Sequence, residues 1–192
     1  MLDLSAYRVI LASRSPRRHE LLRGLNIDFE IRLKDTPEDF DGNLMGREIA
    51  LMLAKRKNLA FTEDELPSNF LLITADTIVW LEDRVLNKPA DEEQALAMLR
   101  VLSGRSHKVF TGVYLRSRDK ESGFCAESTV YFRHLTEEEI LYYIRNFKPF
   151  DKAGSYGVQE WIGYVGIERI EGSYFNVMGL PTQMLYMHLK LF

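Results

Sequence analysis

Apolar positions along the chain alternate between short continuous runs and stripes at helical spacing. Val9 to Ala12 is an apolar run that stops at a Ser-Arg-Ser-Pro turn, and Leu21, Leu22 and Leu25 then recur at helical spacing, which predicts strand, loop, helix. Ser15 stands at the cap position and Pro16 at the first helical position, so Arg17 and Arg18 fall in the first turn. Phe29 to Leu33 predicts a short strand. A helix from about Met45 to Phe61 carries Ile49, Met52, Leu53 and Ala60 on one side, with Arg47, Lys55, Arg56 and Lys57 largely elsewhere, the pattern of a solvated basic face. Phe70 to Thr74 reads as a run buried on both faces, as in an interior strand, and it ends at Ala75-Asp76-Thr77.

Ile78 to Leu81 and Val85-Leu86 predict a hairpin around Glu82-Asp83. Asp91 to Gln94 reads as a capping box for a helix that buries Ala95, Leu96, Met98, Leu99 and Leu102 and stops at Ser103-Gly104. His107 to Leu115 and Phe124 to Phe132 predict an antiparallel pair joined by the polar turn from Asp119 to Gly123. A second capping box, Thr136 to Glu139, opens a helix with Ile140, Leu141, Ile144 and Phe147 inward, ending before Pro149. Tyr164 to Ile170 predicts a strand, and Leu180-Pro181-Thr182 begins a C-terminal helix with Met184, Leu185 and Leu189. Strands and helices in this order predict an α/β fold.

A chain of 192 residues with 46% hydrophobic residues can bury a sizeable core, and with no linker or repeat it is expected to form a single domain over 1–192, as one unit or two intimate lobes. The 25 basic and 28 acidic residues are interspersed and leave a net charge of −3, which argues against a nucleic-acid partner held by bulk charge. Any phosphate recognition must be local. Cys125 has no partner for an internal disulfide, which suits a reducing compartment, and it reads as a small buried hydrophobe. No leader pattern stands at the N-terminus and no apolar run approaches the roughly 18 residues of a membrane span, so a cytoplasmic protein is expected. The four histidines (His19, His107, His134 and His188) lack metal-ligand spacing.

Three stretches carry candidate chemistry. A helix N-terminus already bears partial positive charge, so Arg17 and Arg18 placed there either face solvent or, with the two serines and free N–H groups, form a corner for phosphate. The loop Asp35-Thr-Pro-Glu38-Asp39-Phe-Asp41 holds four carboxylates in seven residues, which either solvate it or hold a divalent cation. Asp76 directly follows a core run, where α/β folds place ligand groups, and a carboxylate so placed must be hydrated, hydrogen-bonded or metal-bound. The glycines of Asp151 to Gln159 permit close backbone approach to a ligand.

Taken together, Leu11-Ala-Ser-Arg-Ser-Pro-Arg-Arg18, Ala75-Asp-Thr77, Lys88-Pro89, Leu102-Ser-Gly104 with His107-Lys-Val and Thr111-Gly112, Asp151-Lys-Ala-Gly154, Tyr156-Gly-Val-Gln159 and Val177-Met-Gly-Leu-Pro181 resemble the Maf family. The motifs are collinear over nearly the whole chain. The resemblance implies a mixed, twisted sheet flanked by helices, with two lobes and a central cleft, akin to inosine triphosphate pyrophosphatases. It implies hydrolysis of nucleoside triphosphates between the α and β phosphates with a divalent cation, Mg²⁺ or Mn²⁺. Carried over by motif are Asp76 and Lys88 as catalytic residues, Ser13, Arg17, Arg18, Lys57, Thr77, Lys152 and Gln159 as substrate-binding residues, and Glu38 with Asp76 as metal ligands. Asp76 is the proton acceptor in the family; from the residues alone, base and metal ligand stay open.

Arg17, Thr77 and Gln159 resemble the branch acting on dTTP and UTP, with CTP and modified pyrimidine nucleotides as further candidates. Pro37 departs from relatives that often carry another acidic residue beside the glutamate. A nucleotide-binding regulator of septum formation and cell division is the second reading, and a single-stranded RNA-binding module, lacking a basic stripe, the third. The expected partner is a nucleoside triphosphate, with no membrane and no nucleic acid; a homodimer stays open.

Overall fold

The computed structural model describes residues 2–192. It contains seven strands and seven α-helices. Strand β1 (Arg8–Leu11) leads into helix α1 (Pro16–Arg23), followed by β2 (Glu30–Ile31) and α2 (Gly46–Leu59). Then come β3 (Phe70–Leu81), β4 (Arg84–Leu86), α3 (Glu92–Leu102), β5 (Ser106–Arg116), β6 (Glu121–Phe132) and α4 (Glu137–Phe147). Helix α5 (Trp161–Gly166), β7 (Ile167–Glu171), α6 (Tyr174–Met178) and α7 (Thr182–Leu189) complete the chain. The strand order is β2-β1-β3-β5-β6-β7, with β4 on β3. The sheet is mixed: β1 is parallel to both β2 and β3, whereas β4 runs against β3 and β7 against β6.

The chain divides into two compact units. One takes the chain up to Asp76 with Thr111–Ala126 and Gly179–Phe192; the other takes Thr77–Phe110 and Glu127–Met178. Strands β3, β5 and β6 therefore each pass through both. Ile10, Phe61, Leu66, Phe70 and Leu72 form an apolar cluster in the first unit. The second buries Val79, Leu99, Leu102, Val130, Phe132, Ile140, Ile144 and their neighbours.

Side-chain caps form at Asp91 and Thr136, and of the two only Thr136 completes the reciprocal capping box. Asp91 accepts from the Gln94 N–H at 2.8 Å, although Gln94 returns its oxygen to the Ala90 N–H rather than to Asp91. Thr136 accepts from Glu139 N, and Glu139 Oε2 accepts from Thr136 N at 2.9 Å. Ser15 does occupy the cap position of α1, but its hydroxyl makes no cap bond. Instead its own N–H donates to Ser13 Oγ at 3.2 Å. The hairpin between β3 and β4 turns through Glu82 and Asp83, at φ 48° and 61°, the two successive left-handed residues that a tight hairpin of this twist requires.

Three predicted boundaries are corrected. The strand expected to end at Thr74 continues to Leu81, so Asp76 and Thr77 lie within β3 rather than beyond it. A polar side chain does not interrupt strand pairing when its backbone still bonds and its charge is matched, and Ile78, Val79 and Leu81 resume the burial at once. The strand expected over Tyr164 to Ile170 begins only at Ile167, because Trp161–Gly166 is helical. Gly163 allows this: its N–H donates to Glu160 O at 2.8 Å, and a Cβ there would sit 1.9 Å from Val158 O. Apolar alternation alone does not register such a contact. The turn between β5 and β6 is also earlier than expected, closed by Ser117 N donating to Lys120 O.

Candidate active site

In the first unit, the loop after β1 is built around Ser13. The Ser13 side chain accepts from Ser15 N, and its carbonyl lies 2.7 Å from His19 Nε2, so the first turn of α1 is tied back onto the loop that precedes it. Arg18 donates from Nε to Gly179 O at 2.7 Å and approaches Ser13 Oγ at 3.5 Å. Burial pushes the Arg18 guanidinium below its ordinary value, an effect opposed by Asp76 and Glu38 and reinforced by Arg17. Its charge survives, as an arginine's does in proteins. Arg18 thus combines a brace to Gly179 with positive charge directed at two carboxylates.

Helix α2 brings the matching lysine. Asn58, fully buried, donates to Leu72 O and Tyr114 O at 3.2 Å each, and its oxygen accepts from Arg116 Nε at 2.8 Å. Thr74 Oγ1 donates to Ala54 O at 2.7 Å. These bonds fix α2 against β3, and at Gly112 the approach to β5 is so close that a Cβ would stand 2.3 Å from Ala50 O. The neighbour of Asn58, Lys57, is thereby delivered to Asp76: its Nζ pairs with Asp76 Oδ1 and lies 2.9 Å from Glu38 Oε1. Asp76 is 8% exposed, and its negative charge is matched by this ammonium. Glu38 itself is exposed on the acidic loop. Arg56, expected on a solvated face, holds that loop by donating to Pro37 O at 3.1 Å and Asp39 O at 2.6 Å. Arg47 likewise donates to Cys125 O at 2.8 Å. A helical pattern separates apolar from basic positions but does not show which backbone carbonyls lie within reach.

No group of three or more His, Cys, Asp or Glu that could hold a metal occurs among the described residues. Asp76 and Glu38 nevertheless converge on one cationic atom, Lys57 Nζ. Two carboxylates fit the protein's share of a Mg²⁺ site, which takes one or two of them and fills its remaining positions with phosphate oxygens and water.

The second unit carries Thr77, Lys88, Lys152 and Gln159. Thr77 is half-buried within β3, and Lys88 is exposed. The loop of Lys88 is joined to the glycine turn because Gly154 N donates to Asn87 O at 3.2 Å. Gly154 and Ser155 turn through φ 68° and 62°, two successive left-handed residues of which only the glycine is unstrained. Lys152 is buried, with Nζ 2.7 Å from Asp151 Oδ1 and 3.0 Å from Glu160 Oε1. Burial, with Glu160 alongside, raises the Tyr143 hydroxyl well above its ordinary value.

The amide oxygen of Gln159 is buried and has no hydrogen-bond partner among the described residues. The same segment is braced by His107, whose Nε2 lies 2.7 Å from the Tyr156 hydroxyl. Burial drives this imidazole down to about 3, so it is neutral near pH 7, and burial also raises Tyr156. Sequence reasoning missed the roles of Asn58, Thr74, Tyr143 and Glu160. The Thr74-Ala75-Asp76-Thr77 run contained a hint of the second; none marks Glu160, whose partner in α4 lies 17 positions away.

The first unit combines a basic corner on a helix N-terminus with a buried aspartate paired to lysine, and the second carries a buried amide acceptor on a glycine turn, within an α/β protein. Comparison with known proteins narrows this. Residues 8–192 match the model of the Maf family, described as Maf-like protein, and the chain belongs to that family. A Parabacteroides distasonis protein named dTTP/UTP pyrophosphatase is 51% identical over 191 residues, covering 99% of this chain and 98% of its own. Proteins of the same name from Bacteroides fragilis and Flavobacterium psychrophilum are 52% identical over 189 residues and 50% over 182, covering 98% and 95% of this chain and 97% and 93% of theirs. Among solved structures, a HAM1 protein from Coxiella burnetii gives a TM-score of 0.36 at 16% identity, covering 64% of this chain and 70% of that one.

Proposed function

We propose that this protein hydrolyses dTTP and UTP to the nucleoside monophosphate and pyrophosphate. The observation that carries the reading is the cluster of buried Asp76 with Lys57 and Glu38, in the unit that also presents Arg17 and Arg18. The name shared by relatives about half identical over nearly their whole length supports the substrate class.

Cleavage of a phosphoanhydride accumulates charge on the non-bridging and leaving oxygens, so catalysis is chiefly positioning and electrostatic stabilisation. By the family motifs, Arg17, Arg18, Lys57, Lys88 and Lys152 are the candidates to supply that charge, with Ser13 and Thr77 as further polar contacts. Water adds to phosphorus at the α–β bridge, the bridging P–O bond breaks, and Asp76 Oδ takes the water's proton. Asp76 and Glu38 would hold Mg²⁺ or Mn²⁺, which when bound neutralises phosphate charge and acidifies coordinated water. Gln159 reads the pyrimidine edge. A cytoplasmic setting suits the single Cys125, and among the described residues no helix is long and apolar enough to cross a membrane.

The test is a panel of nucleoside triphosphates with Mg²⁺ or Mn²⁺, assaying pyrophosphate and orthophosphate separately. Pyrophosphate with dTMP or UMP is expected, with turnover lost in EDTA. Orthophosphate and a diphosphate as first products would refute the reading.

A further inference from the structure

Glu160 has no part in the reading above, yet it lies at the centre of a buried polar chain. Its Oε1 is 3.0 Å from Lys152 Nζ, and its Oε2 accepts from the Tyr143 hydroxyl. The Tyr143 oxygen in turn accepts from the backbone N–H of Gly157 at 2.9 Å. Lys152 keeps one further carboxylate, Asp151 Oδ1 at 2.7 Å. The side chains of Lys152 and Glu160 are only 9% and 19% exposed, and Tyr143 is fully buried. Glu160 folds over Gly157 so closely that a Cβ there would stand 2.7 Å from its Cδ. The carboxylate is therefore enclosed, with both oxygens used, by one residue of helix α4 and by the segment that carries Lys152 and Gln159.

We propose that Glu160 is a positioning residue for Lys152. A lysine has four rotatable side-chain bonds and no fixed fork, so its placement relies on partners. Asp151, the adjacent residue and largely exposed, holds it from one side. Glu160 holds it from the other, and Glu160 is itself held by Tyr143, which is anchored in the core of the second unit. Through the Gly157 N–H the same chain fixes the backbone two residues before Gln159. Glu160 touches neither phosphate nor base in this account; it sets where the Lys152 ammonium is offered to the phosphates. The proposal rests on the pyrophosphatase reading for the identity of that ligand.

The experiment is a double-mutant cycle with Glu160→Gln and Lys152→Met, measured as kcat/KM for dTTP and, separately, as the affinity for inorganic pyrophosphate by calorimetry. Glu160→Gln keeps an acceptor for Tyr143 and puts in place of the carboxylate oxygen facing Lys152 a neutral NH₂ group that cannot accept from the ammonium. It is expected to lower kcat/KM by about 10-fold, within the range of coupled contacts in one ion-pair network. The fall should be equal for dTTP and UTP, and the thermal midpoint should move little. In the Lys152→Met background, the same substitution should have no further effect on either readout. Losses that multiply in the double variant, or a Glu160→Gln enzyme within twofold of wild type, would overturn the proposal. A wild-type protein that turns over no nucleotide would sink the activity reading alone, and the pyrophosphate cycle would still decide Glu160. If Glu160→Gln fails to fold, Tyr143→Phe, which releases the other carboxylate oxygen, must show the same dependence on Lys152; an effect that persists without Lys152 would refute the coupling.

Discussion

Gln159 presents a buried amide oxygen with no partner among the described residues, and a buried acceptor left unmade costs about 1–3 kcal/mol. A ligand N–H would satisfy it. The N3–H of uracil or thymine is such a donor and lies beside an O4 acceptor for the amide nitrogen, whereas cytosine offers an acceptor at N3. UTP and dTTP are therefore expected to exceed CTP in kcat/KM by about 5- to 150-fold, the range of that unsatisfied-group cost. In Gln159→Leu the ratio should collapse toward one; an unchanged ratio would show that Gln159 does not read the base. At this scale Arg17, Arg18 and Asp76 were legible in the sequence because each violates a local rule. Two arginines sit at a helix N-terminus, and a carboxylate directly follows a core run. Glu160 breaks no rule visible along the chain, and Asn58 reads as one more helix residue; their roles come from carbonyls and hydroxyls that only packing supplies.

The helices were legible wherever a capping residue and an apolar stripe agreed, as at Asp91 and Thr136. Strand β3 reads too short in the sequence, since Thr74, Asp76 and Thr77 interrupt its apolar run without interrupting the strand. The second half of helix α5, Tyr164 to Gly166, reads as strand in the sequence because six residues hold too few turns to show a helical period, and the Gly163 contact that closes it is non-periodic. The placement of α2 on β5 depends on Gly112, which faces Ala50 O with no room for a methyl group. Gly112→Ala must push the helix outward, and overpacking of this kind costs about 1–3 kcal/mol. Urea unfolding should show that loss, and kcat should fall with it, because Lys57 lies two turns along the same helix. Unchanged stability would mean that α2 yields without cost, contrary to the bonds made by Asn58 and Thr74.

On the scale of the molecule, three strands pass through both units while each unit keeps its own apolar cluster. The α/β class and most of the elements followed from periodicity and turn residues; the mixed sheet and the expectation of two lobes came from the family resemblance alone, because no linker marks a division. The first unit holds Ser13, Arg17, Arg18, Glu38, Lys57 and Asp76, and the second holds Thr77, Lys88, Lys152 and Gln159. Collinear motifs grouped all ten by resemblance, and the fold supplies the physical reason in the first unit: α2, locked to β3, sets Lys57 between Asp76 and Glu38.

The central claim is that Asp76 works at the centre of phosphoanhydride hydrolysis. Steady-state turnover of dTTP by wild type and Asp76→Asn tests it most directly, with circular dichroism confirming that both are folded. The nearly isosteric amide should leave the fold intact and lower kcat by about 10²- to 10⁴-fold, the loss expected when a general base is removed. A folded Asp76→Asn protein that releases pyrophosphate within twofold of the wild-type rate would contradict the account.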